Sequence, residues 1–190
     1  MKKTLPIALS NRHVHLSQKD LDILFGEGYQ LTKLRDLSQP GQFACEEKVD
    51  LVGPKKTIKG VRILGPVRSK TQVEISISDA ITLGVEPVVR NSGDLAGTPG
   101  VKIVGPKGEI DLEEGVIVAA RHIHMHTNDA PEFGVKDKDI VSVKVDGVRG
   151  LIFNNVLVRV SDESQLEMHV DIEEGNAAGV KNGDIVEIIK

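Results

Sequence analysis

Short runs of β-branched and aliphatic residues, separated by turn-forming residues, dominate the hydrophobic pattern of the chain. The clearest runs are bounded by Gly, Pro, Asp or Asn and lie at 49–52, 101–104, 116–119, 140–145, 156–160 and 185–189. Runs of this length and composition are typical of β-strands. Gly-Pro pairs at 53–54, 65–66 and 105–106 mark turns between them. The pattern therefore predicts a mainly-β chain whose strands form barrels or a sandwich and not a βαβ sheet.

One helix has clear start and stop signals. Ser17 can cap its N-terminus, with Asp20 three positions later as in a capping box. Leu21 and Leu24 form an apolar stripe, and Gly26 ends the pattern. Shorter helical turns are predicted at 78–83, 129–133 and 173–178.

A degenerate repeat supports the barrel interpretation. Residues 134–141 closely match residues 179–186, and a weaker third copy lies at 79–89. Each copy predicts a helical turn, a Gly-Val pair and then a strand. Three unequal copies are too few for a solenoid or a propeller, so we expect two small β-barrel domains capped by short helices.

Composition and charge exclude several classes of protein. The 24 basic and 28 acidic residues leave a net charge of −4, and 3% of residues are aromatic, so a general nucleic-acid binder is not expected. The single cysteine rules out an intrachain disulfide. No apolar run approaches 18 residues, which argues against a membrane span. The apolar start of the chain is similar to the start of a signal peptide, but it contains Pro6 and no cleavage site. We therefore predict that it forms a β-strand and that the protein is cytoplasmic.

Histidine spacing is the main chemical signal. Four of the six histidines lie in two copies of one tetrapeptide, Arg-His-Val-His at 12–15 and Arg-His-Ile-His at 121–124. Side chains at i and i+2 of a strand share a face, with Cα atoms about 6.6 Å apart, so each pair can chelate one metal. The alternative is two strands that contain histidine without a metal. Because the motif occurs twice, we favour sites for zinc or another transition metal.

Each histidine pair needs further ligands to approach four-coordination. Glu74, in the alternating run 71–76, and His169 are candidates. On spacing alone, Glu74 could instead lie on a solvated face of a strand, and both interpretations of His169 stay open. His126 could extend the second pair or lie in a loop.

Arg68 is the candidate phosphate clamp, because its guanidinium can bind phosphate through two parallel hydrogen bonds. On one regular strand it would lie about 20 Å from Glu74, so a shared site requires a bend between Pro66 and Gln72. A surface arginine is the alternative. Cys45 has no partner motif around it, and we interpret it as a buried apolar residue and not as a nucleophile.

Taken together, these motifs resemble the PduL-type phosphate acyltransferases, the phosphate propanoyltransferase family. The resemblance covers nearly the full chain. It includes both His-x-His motifs, Gly-Pro-Val-Arg at 65–68, Thr-Gln-Val-Glu-Ile-Ser at 71–76, Arg-Asn-Ser-Gly-Asp at 90–94, Gly-Thr-Pro-Gly at 97–100 and the segment 169–178. A mild departure is Glu-Glu-Gly at 173–175, where the family more often has Asp-Glu-Ala.

The resemblance implies a zinc-dependent enzyme that converts propanoyl-CoA or acetyl-CoA and phosphate reversibly to acyl phosphate and CoA. It also implies two β-barrels, one built from residues 1–11 and 120–190 and the other from residues 12–119. A homodimer is expected, as is a role in propanediol degradation. Members sent to bacterial microcompartments have an additional N-terminal helix, and its absence here predicts a freely cytoplasmic enzyme.

The resemblance further implies a role for individual residues. One zinc would be held by His13, His15 and Glu74, and a second by His122, His124 and His169. Arg68 would bind phosphate. The residues expected along CoA are Ser10, Arg35, Arg62, Leu64, His169 and Asn176, with Arg35 at a position where some members have Lys. Two alternatives remain, a zinc hydrolase of thioesters and a zinc-binding β-barrel module without turnover.

Overall fold

The structure, a computed structural model, describes residues 2–189 and contains four short helices among fifteen strands. The first strands are β1 (Thr4–Ser10), β2 (His13–His15), β3 (Lys33–Asp36), β4 (Phe43–Val52), β5 (Thr57–Gly65), β6 (Gln72–Glu74), β7 (Val89–Arg90) and β8 (Val101–Val104). The others are β9 (Glu109–Leu112), β10 (Val116–Ala119), β11 (His122–Met125), β12 (Ile140–Val145), β13 (Leu151–Val160), β14 (Glu167–Asp171) and β15 (Ile185–Ile189). The helices are α1 (Gln18–Phe25), α2 (Ile77–Leu83), α3 (Asp129–Phe133) and α4 (Ile172–Ala178). The expected mainly-β architecture with short helices is confirmed.

The chain divides into two compact units. One comprises the residues up to Asn11 and those from Ala120 onward, and the other comprises Arg12–Ala119. The first and last residues of the predicted domains, 1 and 190, lie outside the described residues. The first unit is a closed six-stranded barrel in the order β1, β14, β11, β13, β12, β15. The second is a nine-stranded half-barrel sheet, in which β7, β10, β6, β2, β5, β4, β8 and β9 follow one another and β3 pairs with β4.

The two units share one order of strand pairing. In the second unit, the run β10, β6, β2, β5, β4, β8 is joined by parallel, antiparallel, parallel, antiparallel and antiparallel contacts in turn. In the first unit, the run β1, β14, β11, β13, β12, β15 has the same succession of directions. The strands β2 and β11, which contain the His-x-His motifs, therefore occupy equivalent positions. The short repeat in the sequence is a different feature, because its two close copies, 134–141 and 179–186, both lie in the first unit.

Each unit has its own apolar core. In the first unit, Ile123 of β11 is fully buried beside β-branched residues of β12 and β13. In the second, Val14 of β2 is fully buried with residues of β4, β5 and helix α1. The residue between the two histidines therefore faces a core in both motifs, as strand alternation predicts.

The helices begin and end within one residue of the predicted positions. The Ser17 side chain accepts a hydrogen bond from the backbone N–H of Asp20 at the start of α1, which confirms the predicted cap. Helices α2 and α4 each begin with a complete capping box. The glycines that follow α2, α3 and α4 have positive φ angles of 83°, 61° and 70°, as a left-handed helix end requires.

The N-terminal stretch forms strand β1, as predicted. It pairs in parallel with β14 and antiparallel with β15, which closes the barrel of the first unit. Within residues 2–189, none of the helices has the length and hydropathy needed to cross a membrane.

We predict that Leu24→Ala lowers the free energy of unfolding by about 2–5 kcal/mol, because it leaves a cavity at a fully buried site of α1. Its neighbour Ile23 is 43% exposed, and Ile23→Ala is the matched control, with an expected cost of about 1 kcal/mol or less. Urea denaturation followed by circular dichroism measures both. Equal losses for the two variants would show that α1 does not pack as described.

Candidate metal centres

The first candidate centre, cluster A, consists of His13, His15 and Glu74. Strand β2 lies between β5 and β6, and its antiparallel register with β6 sets His13 directly opposite Glu74 and His15 opposite Gln72. Because alternate residues of paired strands share a face, the three side chains project to the same side of the sheet. One ligand atom from each lies within 4.8 Å of the others.

Cluster A is largely shielded from solvent. His13 and His15 are buried, and the Glu74 side chain is 12% exposed. The His13 Nε2 atom lies 3.4 Å from Oε2 of Glu74, and the two imidazole rings are 5.0 Å apart. The alternative that Glu74 lies on an ordinary solvated strand face is therefore wrong.

Burial and neighbouring charges set the protonation of cluster A. Burial, with contributions from His13 and Arg68, lowers the pKa of His15 to about 3, so this imidazole is neutral at pH 7. For Glu74, burial raises the pKa, but the neighbouring His13, His15 and Arg68 lower it more and keep it below its usual range. A neutral imidazole and an ionised carboxylate are the forms that bind a metal.

One polar atom of cluster A is unsatisfied. Among residues 2–189, the Nδ1 atom of His15 is a buried side-chain atom without a hydrogen-bond partner. Leaving such a group unpaired costs about 1–3 kcal/mol. The cost and the donor set together fit a site built to hold a bound ion or ligand.

The second candidate centre, cluster B, consists of His122, His124 and His169. Strand β11 is antiparallel to β14, and the register sets His122 directly opposite His169. One ring nitrogen from each histidine lies within 4.8 Å of the others, and Nε2 of His122 is 3.1 Å from Nε2 of His124. The Nδ1 atom of His122 lies 2.9 Å from the carbonyl oxygen of Ala120. This contact suits a tautomer whose Nε2 lone pair faces the cluster.

Electrostatics in cluster B favour the neutral form of His124. Burial, then the charges of His122, His169 and Arg159, lower the pKa of His124 to about 3. Three imidazoles at these distances would repel one another if protonated. Their neutral forms match the donors that zinc and other transition metals prefer.

Arg68 lies close to cluster A, although a regular strand would separate it widely from Glu74. Strand β5 ends at Gly65 and β6 begins at Gln72, so the chain bends between them, as a shared site requires. The backbone N–H of Arg68 donates to the carbonyl of Leu16 at 2.9 Å. Its Nη1 donates to Oγ of Ser92 at 3.1 Å, and the same hydroxyl donates to Oε1 of Glu74 at 3.2 Å. Arg68 is thus one hydrogen-bonded side chain away from a cluster A residue.

The residues expected along CoA are divided between the two units. In the first unit, Ser10 ends β1, His169 belongs to cluster B, and Asn176 lies exposed on α4. In the second unit, Arg62 pairs with His13 in register. The remaining two lie on strands of that unit: Leu64 on β5, partly buried, and Arg35 on β3, exposed.

Two other candidates lie outside the clusters. The Nδ1 atom of His126 accepts a hydrogen bond from the backbone N–H of Asn128, in the turn that precedes α3, and His126 belongs to neither cluster. Cys45 is fully buried, and burial together with Glu47 raises the pKa of its thiol to about 11. The interpretation of Cys45 as a buried apolar residue is confirmed.

Sequence reasoning assigned no role to three polar residues beside the clusters. Gln72 donates from Nε2 to Oε1 of Glu74 at 2.6 Å. Ser92, in the motif at 90–94, bridges Arg68 and Glu74. Glu167 lies opposite His124 in register, and its Oε2 is 2.7 Å from Nε2 of His169. Gln72 and Glu167 could have been found, because each stands two residues before the third cluster residue on the same strand face.

The comparisons with known proteins agree on one family. The family model described as phosphate propanoyltransferase matches residues 6–181. A phosphate propanoyltransferase of Thermotoga maritima is 59% identical over 185 residues, which cover 97% of this chain and 88% of that protein. Proteins of the same name from Clostridioides difficile and Listeria monocytogenes are 53% and 52% identical, covering 98% and 97% of this chain and 89% and 86% of theirs.

We predict that Cys45 of the folded protein does not react with a thiol reagent such as Ellman's reagent at pH 8. Its side chain is inaccessible, and its raised pKa keeps the thiolate scarce. Absorbance at 412 nm should show less than about a tenth of one thiol per chain over minutes. The same sample in denaturant should release one equivalent, and rapid labelling of the native protein would contradict the described burial.

Proposed function

We propose that this chain, which belongs to the phosphate propanoyltransferase family, converts propanoyl-CoA or acetyl-CoA and phosphate reversibly to acyl phosphate and CoA. Members of that family are acyltransferases. The observation that supports the proposal most directly is the contact chain from Arg68 through Ser92 to Glu74. It places an arginine, a side chain that commonly binds phosphate, beside cluster A, whose residues are of kinds that commonly bind metals.

We assign a zinc ion to each cluster. His13, His15 and Glu74 would hold one, and His122, His124 and His169 the other. Three protein ligands leave a coordination position open for a substrate. When bound, zinc would supply a Lewis acid of borderline softness that favours the thiolate form of CoA and polarises the thioester carbonyl.

Arg68 would hold and orient phosphate, because its planar guanidinium matches two phosphate oxygens. In the reaction, a phosphate oxygen attacks the thioester carbonyl carbon, the C–S bond breaks, and CoA leaves as the thiolate. Holding phosphate beside the thioester is the main contribution of the protein side chains to this step. No protein nucleophile is required, and the buried Cys45, with its raised pKa, is poorly suited to be one.

The CoA contacts are assigned by resemblance to Ser10, Arg35, Arg62, Leu64, His169 and Asn176. The cytoplasmic location, the homodimer and the part in propanediol degradation stay predictions. Zinc-dependent thioester hydrolysis and metal binding without turnover are the outcomes that a direct assay has to separate from acyl transfer.

The first test measures CoA release from propanoyl-CoA with and without phosphate, using a reagent that detects free thiols. An acyltransferase should release CoA only when phosphate is present, and acyl phosphate should form in equal amount. Release without phosphate would indicate a hydrolase, and no release in either condition would indicate a binding module.

The Arg68→Ala variant in the same assay tests the phosphate site. It should raise the KM for phosphate at least about tenfold, since a charge-assisted pair of hydrogen bonds is lost. Metal content should not change. Arg68→Lys keeps the charge without the planar fork and should recover part of the loss. Unaltered phosphate dependence in Arg68→Ala would refute the assignment.

The metal assignment is tested by elemental analysis of protein purified without chelator. The wild-type chain should contain up to two zinc ions. His13→Ala and His122→Ala should each lose one, because each removes one ligand of a chelating pair. His126→Ala is the matched control, since His126 lies outside both clusters, and it should keep the wild-type content. A wild-type metal content near zero with full activity would overturn the assignment.

A further inference from the structure

Gln72 is a buried polar side chain beside cluster A. It is 2% exposed, and each of its polar atoms has a partner. Its Nε2 donates to Oε1 of Glu74 at 2.6 Å and to Oγ of Ser92 at 2.8 Å. Its Oε1 accepts from the backbone N–H of Gly93 at 2.8 Å. A buried amide with all contacts satisfied has a single orientation.

These partners determine which way the amide points. The backbone N–H of Gly93 can only donate, so the carbonyl oxygen of Gln72 must face it. The amide nitrogen then faces Glu74, to whose Oε1 it donates. A flipped amide would therefore lose both contacts.

The two oxygens of Glu74 have different surroundings as a result. Oε1 accepts from Gln72 and from Ser92. Oε2 lies 3.4 Å from Nε2 of His13, on the side of the cluster. The amide thus binds one oxygen of Glu74 and leaves the other facing His13.

The equivalent position of the other unit shows the same arrangement. Glu167 stands two residues before His169, as Gln72 stands two residues before Glu74, and both face the second histidine of a His-x-His pair in register. Glu167 also contacts the third residue of its cluster, at 2.7 Å from Nε2 of His169. A contact at the same place in two sheets with the same pairing order argues against a chance neighbour.

We infer that Gln72 is a positioning residue for the metal of cluster A, which holds the Glu74 carboxylate so that Oε2 alone faces the ion. The inference rests on the proposed function, because it concerns a metal at that cluster. A residue that orients a ligand acts through it without touching the ion, and its loss typically weakens metal affinity about 10–100-fold.

The test is a zinc competition titration with a chromophoric chelator on the full chain. Gln72→Met keeps the approximate length of the side chain and removes the amide. It should weaken the binding of one of the two zinc ions about 10–100-fold and leave the affinity for the other at its wild-type value. Gln72→Asn retains an amide that is too short to reach Glu74 from the same backbone position. Gln72→Asn should therefore weaken the binding of the same zinc ion, and it keeps the test valid if Gln72→Met fails to fold.

Tyr29→Phe is the matched control. It also removes a donor to a carboxylate of a buried residue of the same unit, because the Tyr29 hydroxyl donates to Oε1 of Glu47 at 2.9 Å. It should keep both zinc affinities. Cobalt-substituted samples provide a second readout, since a reoriented carboxylate should alter the visible spectrum of one cobalt ion.

The outcomes distinguish a failure of the proposed metal centres from a failure of the role assigned to Gln72. A wild-type chain that binds no zinc would overturn the proposed metal centres themselves. Two zinc ions in the wild type, with unchanged affinities in Gln72→Asn and in a folded Gln72→Met, would overturn the role of Gln72 alone. Equal weakening of both ions would show a general structural role and would also refute it.

Discussion

The antiparallel register between a His-x-His strand and its neighbour is the constraint on which both clusters depend. In one unit it sets His13 opposite Glu74, and in the other it sets His122 opposite His169. A slip of one residue would turn the third cluster residue to the other face of the sheet. The apolar residue between the histidines prevents this slip, because Val14 and Ile123 are fully buried and cannot exchange faces with a histidine without losing their place in a core.

Burial then gives these clusters their chemical character. Removing His15 and His124 from water penalises their charged forms and lowers the pKa of each to about 3. The same burial would favour the protonated form of Glu74, but the nearby histidines and Arg68 reverse the effect. Near neutral pH, His15 and His124 are therefore neutral and Glu74 is ionised. These three side chains need no proton release before a cation binds.

Much of this arrangement could be predicted from the chain. Strand alternation was enough to pair the histidines, and capping signals were enough to locate α1 from Ser17. The contacts of Arg68 are harder to predict, because they depend on a bend after Gly65 and on a loop that brings Ser92 to the Arg68 side chain. Side chains that act through long-range hydrogen bonds leave no periodic signal. The second unit forms a half-barrel sheet and not a closed barrel. The composition of the strands does not determine whether a sheet closes.

The repeated pairing order explains how each cluster is anchored. In both units the third cluster residue stands two positions before the N-cap of a helix, Ser76 for α2 and Asp171 for α4. The acidic residue of each capping box binds the arginine that precedes the histidine pair: Asp79 binds Arg12 at 2.8 Å, and Glu174 binds Arg121 at 2.8 Å. One carboxylate thus joins the start of a helix to the start of the histidine strand. This link ties the ends of two neighbouring strands together where their side chains must meet.

Within this shared framework, the side chains facing each cluster differ in kind but not in formal charge. Cluster A has a carboxylate at position 74 and an amide at position 72, whereas the equivalent positions of the other unit hold an imidazole, His169, and a carboxylate, Glu167. Each set therefore contains one carboxylate: Glu74 within cluster A, and Glu167 beside His169 of cluster B. A buried divalent cation requires such compensation, because an unpaired charge in a low-dielectric site is costly. The common framework accommodates two donor sets without changing that balance.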